Sequence, residues 1–502
     1  MTMTSDSDQA SAAAKLCAGA GRRNRTIPVV REAVVVALAW AVLAFGAVYP
    51  WAYAPVMVAS AVAGVVGIVA GGGFRANRSV MVIGIGLAAL AAAVVLQLIP
   101  IPAPLLVRID PSADAFLKQY DLQYAAAALR PAVALAREQA AGMHPLSIAP
   151  ASTLLGLGFL ASFGLLFLGV STAFSALDAR QVVKRLIALA VLLALVGIIQ
   201  RATFNGRMYG FWTPQAGVLP LPPALSAFGP FINRNHFAGW MLMILPAAIG
   251  YLAGLVSRGM RGVKPEWRDR LLWFSSAEAS KAILVAFGIL VMGVSLVMTI
   301  SRSGITSFAA SLVVAGWFAI RRQTQKSKRL LMVSFLVLVL IVSAGWAGFD
   351  AVAERFSNAQ YDLRGRAGAW EDTLRIARQF PWFGTGLNTY GAATLVYQQT
   401  NLDAHLAEAH SDYLQLVAEG GVLLCAPALV VIGLFIGAVR ARFREDEVNS
   451  TTYWVRLGVA TGLFAIALQE SVEFSLQMPA NAALFAVVAG MAAGMPRNSR
   501  AG

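Results

Sequence analysis

Apolar residues along this chain collect into blocks of about 20, the length that carries an α-helix across ~30 Å of hydrocarbon at ~1.5 Å per residue. Polar and charged residues fall between the blocks. The pattern predicts twelve spans, at residues 33–49, 52–71, 79–99, 152–173, 182–200, 236–256, 282–300, 304–320, 330–349, 411–438, 455–473 and 478–494. Three connections are long, at 100–151, 201–235 and 350–410, and their positions in the count put all three on one side of the membrane. The fold class expected is an all-α polytopic membrane protein of about twelve transmembrane helices with a large periplasmic loop.

Composition narrows the reading further. Of 502 residues, 58% are hydrophobic and 13% charged, against roughly 25% charged in a soluble domain. A soluble enzyme, a disordered chain and a disulfide scaffold are excluded. The only cysteines, Cys17 and Cys425, stand in the tail and in a span, so they cannot pair. The formal charge of +15 suggests nucleic acid at first, but its distribution reports topology instead. With both termini cytoplasmic, 27 of the 40 Lys and Arg lie on the cytoplasmic side, although the opposite loops hold more residues. This is the positive-inside bias, and no nucleic-acid partner is expected. The chain divides into a flexible tail (1–31), three first spans (32–99), an outward loop (100–151), a main membrane domain (152–494) that includes the loop 350–410, and a second cytoplasmic tail (495–502).

The cytoplasmic loops are short, basic and without a nucleotide fingerprint, so function is sought in the outward ones. In the loop 100–151, Phe116, Leu117, Tyr120 and Tyr124 recur at helical spacing, which predicts an amphipathic segment along the membrane surface, as direct contact or as a structural collar. The loop 201–235 carries Arg201, Arg207 and Arg234 with no acid. Snorkelling to headgroups explains one such arginine. It explains less well the cluster Asn233-Arg234-Asn235-His236, where the neighbours are also hydrogen-bonding groups. Arg302, in Ser301-Arg302-Ser303-Gly304, is a permanent cation pinned in a tight outward turn, for anion binding or headgroup anchoring.

The last loop is densest in chemistry. A helix over about 366–379 sets Arg366 and Trp370 one turn apart on one face. Glu371, Arg375 and Arg378 neighbour one another on a second face, which makes Arg375 and Arg378 structural or solvated. Arg364 and Arg366, before and at the start of this helix, are read as freer to bind an outside anion, for which guanidinium offers two parallel hydrogen bonds. His410 opens the tenth span at the outer surface, where an imidazole takes up a proton from a hydroxyl or simply bonds a carbonyl. His405 and His410 lie ~140° apart around a helix, so no shared metal is expected, and no cluster suggests another metal or a cofactor.

Taken in order, these residues resemble the O-antigen ligase and polymerase superfamily of bacterial envelope glycosyltransferases. The carriers are Phe228-Gly229-Pro230-Phe231-Ile232-Asn233-Arg234-Asn235-His236, Ser301-Arg302-Ser303-Gly304, Arg366 with Trp370, the turn from Pro381 to Gly386, and His410-Ser411-Asp412-Tyr413-Leu414 leading to Glu419-Gly420-Gly421. The resemblance spans residues 150–490. It implies a helical bundle like that of C-type glycosyltransferases in the bacterial inner membrane, with the active site facing the periplasm. The implied donor is a glycan on undecaprenyl pyrophosphate and the acceptor is a hydroxyl on a lipid core, a glycan or a protein, without metal or nucleotide sugar. It implies His410 as the group assisting the acceptor. Arg366, Arg302, Arg234 and Arg364 would hold the pyrophosphate, with Arg207, Arg201, Asn233, Asn235, His236 and Trp370 in support. The chain departs from many relatives in placing Ser226-Ala227 where they have an arginine. Ligase, polymerase and protein O-oligosaccharyltransferase share this donor chemistry and stay open. A twelve-span transporter or flippase is the rival outside the class, but transporters usually place ionisable groups at mid-membrane and show internal repeats, and neither is seen here.

Overall fold

The computed structural model describes residues 26–73, 77–129, 143–213, 227–263, 266–322, 337, 359–445 and 450–494. The expected span at 330–349, apart from residue 337, and residues 323–329 before it lie outside the described residues. Nine described helices are long and apolar enough to cross a membrane. They are α1 (Thr26–Leu43), α2 (Pro50–Ala70), α3 (Arg78–Leu98), α7 (Pro150–Ala173), α8 (Ala176–Thr203), α9 (Arg234–Gly259), α11 (Ala277–Met298), α15 (Asp412–Glu445) and α16 (Thr451–Gln469). Two further helices fall where spans are expected, the 21-residue α12 (Arg302–Arg322) and the 16-residue apolar α17 (Pro479–Gly494). Further helices occupy the loops: the short α4 (Ala103–Ile109), α5 (Pro111–Tyr120), α6 (Leu122–Leu129), α10 (Trp267–Phe274) and α14 (Tyr390–Tyr397), and the 21-residue α13 (Ala359–Gln379). The protein is an all-α polytopic membrane protein.

The first span differs from expectation, which placed it at 33–49. It starts earlier because Arg31 and Glu32 are neutralised within the fold, Arg31 by Asp178 at 2.9 Å and Glu32 by Arg185. It ends earlier because Phe45, Gly46 and Ala47 all take positive φ in a tight turn, and Pro50 then opens α2. Hydropathy does not register that turn, since its residues are as apolar as a helix.

Helix packing follows the small residues. Along the contact of α9 with α16, a Cβ on Gly250 or Gly458 would strike the carbonyl oxygen of Trp454 or Pro246 respectively, and one on Gly462 would sit 2.6 Å from the Met243 oxygen. Absent side chains let these backbones touch, the usual device where lipid supplies no hydrophobic driving force between helices. Around this seam α9 buries Trp240, Met241, Leu242 and Met243 completely.

The described parts of the long loops gather at one end of the bundle, here called the loop end. Strands Ile101–Pro102 and Met143–His144 pair antiparallel, and α4–α6 pack Leu106, Phe116, Leu117 and Tyr124 against Ile376, Phe380 and Tyr390. The apolar face expected along the membrane surface therefore covers protein, in the manner of a collar, with only Tyr120 of the four aromatic and leucine positions left exposed.

The segment Pro381–Gly386 inserts into an opened turn of α15. At Gly421 (φ 51°, ψ −155°) the helix is interrupted, a conformation open essentially to glycine alone. The freed carbonyls of Ala418 and Glu419 accept from the N–H groups of Thr385 (3.0 Å) and Gly386 (2.9 Å). Beyond the break, the N–H groups of Val422 and Leu423 donate to the carbonyls of Pro381 and Trp382, both at 2.9 Å. Gln97, at the end of α3, closes the arrangement by donating to the Phe383 carbonyl (2.7 Å) and accepting from the Leu387 N–H (3.1 Å). Broken backbone survives in a membrane protein only where other groups satisfy it, and here each exposed group has a partner.

Gly458→Val should lower the thermal unfolding midpoint in detergent by several degrees, because two backbones must separate. Gly437→Val, at a position with nothing within 4 Å of an added Cβ, should stay within a degree of wild type. Equal midpoints for the two variants would refute the close-packing account.

Candidate functional site

The connection between α16 and α17, residues 470–478, organises the loop end. Glu473 is fully buried, and a buried carboxylate needs hydrogen-bond donors from several directions. Three elements supply them. Asn235 Nδ2 donates from the first turn of α9 at 2.8 Å, Ser303 Oγ from the first turn of α12 at 3.2 Å, and the Arg366 guanidinium pairs with it from α13. The N-termini of α9 and α12 therefore both address this carboxylate with the positive ends of their dipoles. Asn233 caps α9 by accepting from the Asn235 N–H at 2.8 Å. Ser301 does the same for α12 through the Gly304 N–H at 3.3 Å, in a turn that Ile300 enters with φ 54°. Arg234 and Arg302 are the adjoining first residues of the two helices and are half-buried.

Phe474 follows Glu473 and holds two imidazoles. His236 packs edge-on to its ring at 4.8 Å and His410 at 5.0 Å. His410 has φ 52°, at the join between the cap and α15. Its carbonyl accepts from Trp370 Nε1 at 3.3 Å, one helical turn along α13 from Arg366. Its Nδ1 is buried and has no hydrogen-bond partner among the described residues. Burial first, then the neighbouring Arg366 charge, hold the His410 imidazole down to about 4, so it is neutral at physiological pH and able to take up a proton.

A second buried acid pair adjoins this cluster. The Asp412 N–H donates to the carbonyls of Glu470 (3.1 Å) and Glu473 (3.2 Å), and the Asp412 and Glu470 side chains hydrogen-bond each other. Two carboxyls in such contact share a proton. Burial, and then Asp412, push Glu470 well above the usual carboxylate range. Gln477 Nε2 donates to Asp412 Oδ1 at 2.8 Å.

The sequence-derived candidates thus divide. Arg366, Asn235, His236, Trp370 and His410 converge directly, with Asn233, Arg234 and Arg302 beside them. Arg366 is not the free cation expected from the sequence, because its acid partner stands over a hundred residues away, at Glu473. The Arg364 side chain lies outside the described residues. Arg207 is exposed, and Arg201 is half-buried at the end of α8. Their loop is closed by the Met208–Trp212 bridge and stacks Trp212 on Phe45 of the first turn at 4.9 Å, in an aromatic group with Tyr49 and Trp51 of the kind found at membrane interfaces. Arg375 is structural, as its spacing indicated, bonding Asp372 at 2.9 Å and Glu371 at 3.7 Å. His405 bonds the Gly391 carbonyl at 2.8 Å. Sequence reading missed Glu473, Glu470 and Phe474 as organisers. The available signal was two acids three residues apart at the end of a span that is otherwise uncharged after Arg456. Among the described residues no group of three or more His, Cys, Asp or Glu is placed to hold a metal ion.

Residues 287–429 match the O-antigen ligase family. The matched stretch is less than a third of the chain, and it supports a likeness to the O-antigen ligase and polymerase superfamily. The matched segment contains Arg302, Arg366, the Pro381–Gly386 insertion, His410 and the α15 break, whereas Asn235, His236 and Glu473 lie beyond its ends. Comparison with curated proteins gives no match. The family match supports a ligase- or polymerase-like role in surface polysaccharide synthesis.

A histidine held near 4 when folded and near 6.5 when unfolded takes up a proton preferentially in the unfolded state between those values. Its contribution is intact above pH 6.5 and is lost as pH falls through 4. His410→Gln should therefore shrink the drop in unfolding temperature between pH 7 and pH 5, and an unchanged drop would place the acid sensitivity elsewhere.

Proposed function

We propose that the protein transfers a glycan from undecaprenyl pyrophosphate to an acceptor hydroxyl at the periplasmic face of the bacterial inner membrane. The observation that carries this reading is the convergence on Glu473 and Phe474 of three elements bearing Arg234, Arg302 and Arg366 together with a neutral, buried His410. In the reaction the bond from the anomeric carbon to the diphosphate oxygen breaks while the acceptor oxygen bonds to that carbon. The leaving diphosphate gains negative charge, and preorganised guanidinium groups stabilise it most where water is scarce. The acceptor proton passes to His410, whose unpartnered Nδ1 is free to receive it, and the released diphosphate stays on its lipid. A single displacement of this kind inverts the anomeric centre.

Glu473 has a defined part in this scheme. It fixes Arg366 before substrate arrives, so the guanidinium does not lose side-chain freedom on binding. Arg234, Arg302 and Arg366 bring three guanidinium groups to the neighbourhood of this carboxylate, the groups that would meet a diphosphate. The positive-inside distribution supports the periplasmic placement of the loop end, and the collection of ionisable groups there rather than at mid-membrane favours transfer over transport. Ligase and polymerase differ only in the acceptor. We favour the ligase form, in which a preassembled glycan is moved to a lipid core.

Deleting the gene should cause glycan polymer to accumulate on the polyprenyl carrier and disappear from the cell surface. Accumulation of single repeats would indicate a polymerase, and an unchanged lipid-linked pool would refute glycan transfer altogether. In complementation, His410→Ala should lower transfer by ~10²-fold or more, the usual range for a lost general base. Arg366→Lys keeps the charge facing Glu473 but loses the two-pronged donor, and should fall at least ~10-fold. Arg375→Ala should be milder than either, and the reverse order would show that the wrong face of α13 had been assigned.

A further inference from the structure

A crevice of about 670 Å³ opens between α3, α7, α15 and α17, and it is lined by Asp412 but not by the Arg366–Glu473 pair. Its walls are apolar, with Leu87, Phe159, Phe163, Phe167, Phe435 and Phe485 prominent. Along α7 the lining runs from Gly156 to Phe167, about 16 Å of helix and so roughly one leaflet of the ~30 Å hydrocarbon layer. At the loop end the lining changes to Asn388, Glu408, Asp412, Gln415, Glu419 and Gln477. No Lys, Arg or His is among the described residues that line it, and neither Glu473, Arg366 nor His410 reaches it. An apolar shaft one leaflet deep, closed at its polar end by carboxyls and amides, has the outline of a site for a single lipid chain with its head.

We infer that this crevice seats the acceptor, a long-chain lipid whose head presents hydroxyl groups and no phosphate to the carboxyl–amide end. The inference rests on the glycan-transfer reading and assigns its second substrate to a place. A diphosphate here would face three carboxyl groups with no cation among the described lining residues, and an uncompensated anion in a low-dielectric site is strongly disfavoured. Hydroxyls suit the same lining well, since carboxyl and amide groups both accept from and donate to them. Burial pushes the Glu408 carboxyl up to about 7, so that at neutral pH it offers a proton as well as lone pairs. The Asp412–Glu470 pair then marks the edge of the crevice, which Asp412 lines and the Arg366–Glu473 pair does not. His410 stands two residues before Asp412, at the boundary where an acceptor hydroxyl and a donor diphosphate would meet.

The test uses the full-length protein in phosphatidylcholine nanodiscs and measures equilibrium binding of labelled dodecyl maltoside and dodecyl phosphate, with no turnover required. The glycoside should bind saturably and at least tenfold more tightly than the phosphate. Gly164→Leu projects into the crevice, where an added Cβ meets only Leu87 Cδ1 at 4.0 Å, and should weaken glycoside binding at least tenfold. Gly437→Leu, with nothing near its added Cβ, should leave binding unchanged. Glu408→Lys places a cation at the polar end of the crevice and should shift the preference toward the phosphate. Tighter or equal binding of dodecyl phosphate by the wild type, no saturable glycoside binding over the phospholipid background, or indifference to both Gly164→Leu and Glu408→Lys would overturn the assignment. Because the readout is binding, loss of the crevice assignment is distinguishable from loss of the transferase reading, which the lipid-linked glycan pool tests separately.

Discussion

A carboxylate sealed inside the loop end of a membrane bundle is expensive unless donors meet it, and the placement of the candidate site follows from the three donors that converge on Oε1 of Glu473, while its Oε2 has no partner among the described residues. Its donors come from α9, α12 and α13, elements far apart in sequence. Removing any one donor would leave the charge short of partners in a place water does not reach. The carboxylate thus selects the relative positions of three helices, and in doing so lines up the arginines that begin α9 and α12 with the guanidinium of α13. Phe474, the next residue, fixes the two histidines through its ring edge contacts. One short connection between two spans therefore sets both the cationic and the basic side of the site.

The cap is held by a different principle. A polar backbone cannot be left open near a bilayer, so the break in α15 and the Pro381–Gly386 segment satisfy each other group by group. Gly384 and Gly421 are required there because a Cβ on either would collide with the partner's backbone. Gln97 adds the third side of this joint. It reaches from α3 to two separate strands of chain, and Ser147 donates its N–H to the Gln97 carbonyl at 3.0 Å. The cap is thereby anchored to the same helix that forms one wall of the crevice.

Much of this architecture was readable from the sequence, for identifiable reasons. Spans are legible because hydrocarbon thickness imposes one length on all of them, and eleven of the twelve expected segments coincide with described helices. Boundaries were misplaced where charge is cancelled inside the fold, as at Arg31 and Glu32, or where a turn is built of apolar residues, as at Phe45–Ala47. At the site, His410, Arg366, Asn235 and Trp370 were legible as hydrogen-bonding groups crowded at one membrane face. Their partners were not, because hydropathy and helical spacing describe neighbours within an element, while Glu473 meets Arg366 across the fold. The amphipathic stripe of α5 was visible as a stripe, but periodicity alone does not distinguish lipid from protein as the surface it covers.

The distribution of partners around the α15 break has a consequence for anyone recombining these proteins. The segment that carries the family signature is not an autonomous cassette. Transplanted by its own ends, residues 287–429 would bring Arg302, Arg366 and His410 but leave behind Gln97, Asn235 and the Glu473–Phe474 connection. A chimera that respects the physics must take its junctions from the contact network, keeping α3, the start of α9 and the α16–α17 turn from a single parent.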